Sequence, residues 1–238
     1  MINFFKKIRF HLIDQQKFKR YLLYAVGEII LVVIGILIAL KINNWNTLKI
    51  KKKDAIETFK NIKDQIIQNS DEITMIKATN ASYSSQYIRA NTIISSRDYS
   101  KTDSLAIMAM NLSRYSDFHG NGNIYETLVN SGDIKLLENT EIQNKLQKLQ
   151  SIYSYINKLE EINWEIVIKE LSPELRGVIN YSNLKVIKPE KLFSVELQNI
   201  FVENIFLTKA KEAAYDTALA EINELMVLID QEINTSNE

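Results

Sequence analysis

Few residues in this 238-residue chain have the types and spacing that chemistry needs. The two histidines, His11 and His119, stand apart, and neither belongs to an H-x-x-x-H or E-x-x-H pair that would put two metal ligands on one helical face. There is no cysteine, which removes disulfides and thiolate metal sites and is compatible with an oxidising compartment. Gly120-Asn121-Gly122 lacks both the preceding strand and the following Lys-Ser/Thr of a phosphate loop, so it reads as a turn, with His119 a surface loop residue. No serine lies in a G-x-S-x-G elbow. Glu160, Glu161, Glu165 and Glu170 fall in the pattern of a solvated helix face. The expectation is a protein that is not an enzyme and that uses no metal or cofactor.

One acid stands out by its surroundings. Tyr21–Ile42 reads YLLYAVGEIILVVIGILIALKI, an apolar run broken only by Glu28 and Lys41. As a helix it rises about 33 Å, enough to cross a hydrocarbon layer of about 30 Å. A carboxylate costs up to about 3 kcal/mol at the centre of such a helix and less towards its rim, and Glu28 is one turn beyond Tyr24. Glu28 and Gly35 are seven residues apart and share a face, Gly35 and Ala39 form a small-xxx-small pair, and Gly27 extends the stripe. Three readings follow: a close helix–helix contact with Glu28 hydrogen-bonded across it, a snorkelling Glu28 with incidental glycines, or proton or ion coupling. A lone acid supports the last poorly.

The elements that hold these residues begin with the span itself, residues 21–43, flanked by a basic juxtamembrane segment, 1–20, and an acidic helical domain, 44–238. Tyr21 and Tyr24 at one end and Trp45 at the other suit the two interfaces. The run is longer than a signal-peptide core and is not followed by an A-x-A site, so it is expected to be retained. Residues 1–53 carry 11 Lys or Arg against 2 acids, and residues 54–238 carry 18 against 27. The basic end suits anionic headgroups, with Lys6, Lys7, Arg9, Lys17, Lys19 and Arg20 before the span. The acidic remainder argues against nucleic acid. Six basic residues before the span against five soon after it barely set the orientation; the short basic tail favours a cytoplasmic N-terminus and a periplasmic domain across an inner membrane. Met1, Phe5, Ile8 and Leu12 have helical spacing, so residues 1–20 read either as a helix on the inner leaflet or as a disordered tail.

Six glycines and two prolines in the whole chain favour long helices, and the fold class is all-α: a single N-terminal transmembrane helix followed by an elongated bundle. From Phe59 through Ile62, Ile66, Ile73, Ile76, Tyr83, Tyr87, Ala90 and Ile94 the spacing is a heptad seam, with Asn69 and Asn80 in its two gaps. These asparagines either set register or oligomer state or are satisfied amides in an ordinary bundle. Short helices are expected over Asp103–Leu112 and Ile124–Asn130, the latter closed by Gly132. Thr140-Glu141-Ile142-Gln143 has capping-box form and opens a long helix to Leu171. Ser172-Pro173 starts a new turn, and a last long helix follows Lys188-Pro189.

Tyr24–Leu40 (YAVGEIILVVIGILIAL) followed by Ile42-Asn43-Asn44-Trp45-Asn46 resembles the anchor of an uncharacterised single-pass membrane family common in Bacteroidota. Phe4–Arg9 and Lys19–Leu22 are similar to that family's basic leader, Tyr125–Leu128 with Ser131–Ile134 gives a weaker likeness, and Thr47 departs from an expected acid. The resemblance implies a membrane anchor and supplies no activity. Two functions are therefore carried forward. One is an anchored interaction or scaffold protein of the cell envelope, touching the lipid bilayer, an unknown envelope protein and a second copy through its span. The other is a ligand-sensing bundle, which would relay through a membrane partner because twenty residues before the span are too few for an output domain.

Overall fold

A computed structural model describes residues 18–119 and 123–237. Lys6, Lys7, Arg9 and Lys17, the suggested leader helix and the Gly120-Asn121-Gly122 turn lie outside these residues. In chain order the elements are α1 (Phe18–Ser95), α2 (Thr102–Asn111), α3 (Ile124–Ser131), α4 (Thr140–Ile166), α5 (Ser172–Leu175), β1 (Ile179–Asn180), β2 (Lys185–Val186) and α6 (Val195–Asn237). Single 3-10 turns occupy Tyr99–Lys101, Asp133–Leu136 and Pro189–Phe193, and a π turn covers Val167–Leu171. The fold class is all-α, as the scarcity of helix breakers implies. The chain divides into two compact units, Met1–Asp54 and Ala55–Glu238, with the boundary inside α1.

In the first unit every described side chain from Leu22 to Asp54 is exposed except Ala25, which is half-buried. This helix is long and apolar enough to cross a membrane, with a mean hydropathy of 2.7 over its most apolar 18 residues and none of that stretch buried.

The second unit is a three-helix bundle. The α1 seam is buried at Phe59, Ile62, Ile66, Asn69, Ile73, Asn80, Tyr87, Ala90 and Ile94, and half-buried at Ile76 and Tyr83. It packs on this chain's own α4 and α6. Helix α6 runs antiparallel to both partners: Lys63 pairs with Asp230 at 2.5 Å, Lys77 with Asp216, and Gln198 donates to Asn91 at 2.9 Å. On the α4 side Asn139 donates to Glu232 at 2.7 Å, and Asn163 to Asn204 at 3.3 Å. So α1 and α4 are parallel, and the chain returns along the bundle between them, with 96–119 and 123–139 the described parts of that connection.

Local chemistry explains most of the element ends. Gly132 closes α3 at φ +83°, a left-handed conformation that glycine adopts without a Cβ penalty. The α4 cap differs from the capping box at Thr140. Asn139 is the cap, its side-chain oxygen accepting from the N–H groups of Glu141 at 2.9 Å and Ile142 at 3.4 Å, and Gln143 instead donates to the Leu137 carbonyl at 2.6 Å. Ser172-Pro173 opens the short helix α5 as expected, with the proline in its first turn, and the chain enters it directly from the π turn because Leu171 and Ser172 keep right-handed helical dihedrals. The hairpin Ile179–Val186 was not evident from sequence; Ile179 pairs with Val186 and Asn180 with Lys185.

Two apolar cores fill the bundle. One joins Phe59, Ile62, Ile66 and Ile73 of α1 to Ile142–Leu159 of α4 and to Ala214–Ile229 of α6. The other joins Tyr87, Ala90 and Ile94 to α2, Val167, Leu171, Val178, Ile179, Leu192, Ile200 and Phe201.

Candidate functional site

Between the two cores all three long helices change character at the same level. Helix α1 contributes Asn80, α4 contributes Glu160 and Asn163, and α6 contributes Asn204, Thr208, Lys211 and Tyr215; all are buried, with Lys211 0% and Glu160 6% exposed. The segment 115–119 leads away from α2 and seals this layer from outside, inserting Ser116 and Phe118.

Each charge has partners. Lys211 Nζ donates to the Ser116 carbonyl at 3.1 Å and to Asn163 Oδ1 at 3.0 Å, and it lies 5.0 Å from the centre of the Tyr115 ring, so every ammonium proton faces an acceptor or a π face. Glu160 Oε1 accepts from the Phe118 N–H at 2.9 Å and from the Tyr215 hydroxyl at 3.4 Å. The hydroxyls of Tyr215 and Ser116 are 2.9 Å apart, and Asn80 Nδ2 donates to the Thr208 carbonyl at 2.7 Å. Among the described residues no buried polar side-chain atom lacks a hydrogen-bond partner.

The layer still strains its ionisable groups. Burial raises the Glu160 carboxyl well above the carboxylate range, only partly countered by Lys211 and by the Phe118 N–H. Burial lowers the Lys211 ammonium, with Glu160 and Asp117 acting against it. Burial also raises Tyr215. An acid and a base shifted towards each other are held here within one hydrogen-bonded layer. The arrangement locks segment 115–119 onto the bundle.

Glu160 thus corrects the sequence reading of a solvated acid. Its signal was present: Glu160, Asn163, Val167 and Leu171 extend the buried face of Ile142, Leu149, Tyr153 and Ile156. On α6 Asn204, Thr208, Lys211 and Tyr215 continue the seam spacing from Phe201 to Ala218, with Leu207 and Ala214 buried beside them. Glu161, Glu165 and Glu170 are exposed. His119 is exposed in its loop, its N–H donating to Glu72 at 2.8 Å.

The residues singled out in the apolar helix are all presented outward by a single chain. Gly27, Glu28, Gly35 and Ala39 are exposed, and a Cβ added at Gly27 or Gly35 would meet nothing within 4 Å. Tyr24 and Trp45 are exposed, Tyr21 is half-buried, and Lys49 Nζ lies 5.7 Å from the centre of the Trp45 ring. Arg20 is exposed, and Lys19 lies within α1. Among the described residues no group of three His, Asp or Glu is arranged to hold a metal ion.

A shallow groove of about 370 Å³ runs along the bundle between α4 and α6, lined by Lys148, Ser151, Ile152 and Tyr155 on one side and Ala210, Ala213, Ala214 and Thr217 on the other.

The sequence model of a family of unknown function (DUF6090) matches residues 28–209. The chain belongs to that family. The DUF6090 match takes in Glu28, Gly35 and Ala39 of the apolar helix and Asn80, Ser116, Glu160 and Asn163 of the polar layer, and ends just before Lys211. No curated protein and no solved structure matches the chain.

Proposed function

We propose that this DUF6090 member is a membrane-anchored, non-enzymatic interaction protein: a single-pass helix tethers a helical domain that contacts another protein of the cell envelope. The observation that carries this reading is the first unit, where the apolar residues from Leu22 to Ile42 are left uncovered by the chain itself. Fifteen large apolar side chains exposed between Leu22 and Ile42 would be strongly unfavourable in water, and lipid is the environment that suits them. The basic residues around the span favour an inner membrane with the N-terminus in the cytoplasm and the domain outside. Gly35 and Ala39, with Glu28 on the same face, supply the surface through which two spans would meet.

Fractionation tests the anchor: the full chain should sediment with membranes, resist carbonate extraction and dissolve only with detergent. Recovery in the supernatant without detergent would overturn it. Crosslinking in intact cells followed by purification should recover one stable envelope partner. A second reading, ligand sensing, is favoured by the groove between α4 and α6. A thermal shift of several degrees with one compound would select it over the scaffold.

A further inference from the structure

The hairpin β1–β2 combines three features that packing within the chain does not explain. Tyr181, Leu184 and Ile187 are large apolar side chains left 48%, 53% and 52% exposed. Leu184 has φ +56°, a left-handed conformation that a leucine adopts only at a cost, and it holds the side chain outward rather than into the core. Residues 176–191 carry Arg176, Lys185, Lys188 and Lys191 against Glu190 alone, in a unit that is otherwise acidic, and among the described residues none of the four cations forms an ion pair.

The tip is also held firmly. Asn180 Oδ1 accepts from the Ser182 N–H at 3.0 Å, Asn183 Oδ1 accepts from the Lys185 N–H at 3.0 Å, and the Ile187 N–H donates to the Val178 carbonyl at 2.8 Å. The strained, outward Leu184 is therefore an ordered feature of the fold.

We propose that this hairpin is a docking surface for an anionic lipid bilayer, distinct in sequence from the membrane-spanning helix. A tyrosine and two aliphatic side chains flanked by unpaired lysines match an interface that is apolar within and negative at its surface. Charge complementarity singles out this patch, since the acidic remainder of the second unit is repelled by the same surface.

The full chain, reconstituted in nanodiscs of neutral lipid, is mixed with sucrose-loaded vesicles of phosphatidylglycerol or phosphatidylcholine and sedimented. Nanodiscs should follow the anionic vesicles, less so as salt is raised, and stay in solution with the neutral ones. Lys185→Glu with Lys188→Glu should weaken recovery about tenfold or more. Tyr181→Ser with Leu184→Ser should do likewise, while circular dichroism keeps its helical spectrum. Both variants keep the basic residues before the span, so any loss reports the hairpin. Equal recovery of variants and parent, or equal recovery on neutral vesicles, would overturn the proposal, as would binding to an acidic protein with none to vesicles.

Discussion

Two buried glutamates in one bundle show how contact distance decides the fate of a carboxylate. Glu221 is 3% exposed, and burial pushes its carboxyl up, but Lys148 at 2.5 Å and Lys145 at 3.1 Å outweigh that and leave it lowered. Glu160, also buried, has no ammonium within ion-pair distance among the described residues, and burial wins. Their linkage to stability has opposite signs. Glu221 contributes stability above the ordinary glutamate value of 4.5 that is lost as pH falls through its lowered value. Glu160 contributes stability that is present below 4.5 and lost as pH rises through its raised value. Lys211, lowered from 10.5, gives stability back as pH climbs from its lowered value towards 10.5. Urea midpoints of the parent across this range should therefore show a dip on the alkaline side of neutrality, and a Glu160→Gln/Lys211→Met double variant should lack it. The single variant Lys211→Met removes the donor to Ser116 and Asn163 and the cation nearest to Glu160. It should lose about 3 kcal/mol in chemical denaturation, and the double variant less than the single.

Element by element, the long helices were the most legible part. Phe59–Ile94 could be read because one spacing runs unbroken through it, and the same spacing delivered α4 and α6. Glu160 and Lys211 were overlooked because a charged residue in a seam looks like the end of the seam, and only the partner helices reveal that three such interruptions coincide. The hairpin had no periodicity to read, since each strand is two residues long and its turn depends on Asn180 and Asn183 folding back on their own backbone. Caps fell between these extremes. Gly132 was legible because left-handed closure needs glycine, and it yields a clean expectation: Gly132→Ala meets no neighbouring atom, so the cost is purely dihedral, about 1 kcal/mol in an unfolding titration. Asn139 was hidden by the better-known pattern that starts one residue later; Asn139→Ala should cost a similar amount.

For the whole molecule, sequence located the membrane-compatible helix and the acidic bundle but not the polar layer or the basic hairpin, whose side chains are brought together only by folding. The span contact belongs at this scale. If two copies meet through Gly35 and Glu28, then Gly35→Leu should reduce energy transfer between labelled copies in lipid at least several-fold, and Glu28→Leu should weaken it further, since close backbone approach and an interhelical hydrogen bond contribute separately. Unchanged transfer in both would leave Glu28 as a snorkelling residue.

Packed helices slide past one another in steps of one turn, about 5.4 Å. In a wholly apolar bundle such a step exchanges one aliphatic contact for another at small cost. Here it would pull the Lys211 ammonium away from the Ser116 carbonyl and Asn163 and break the fixed set of polar contacts across the layer. The polar layer therefore acts as a detent against piston motion, so under the ligand-sensing reading helices of the second unit would splay or rotate rather than slide.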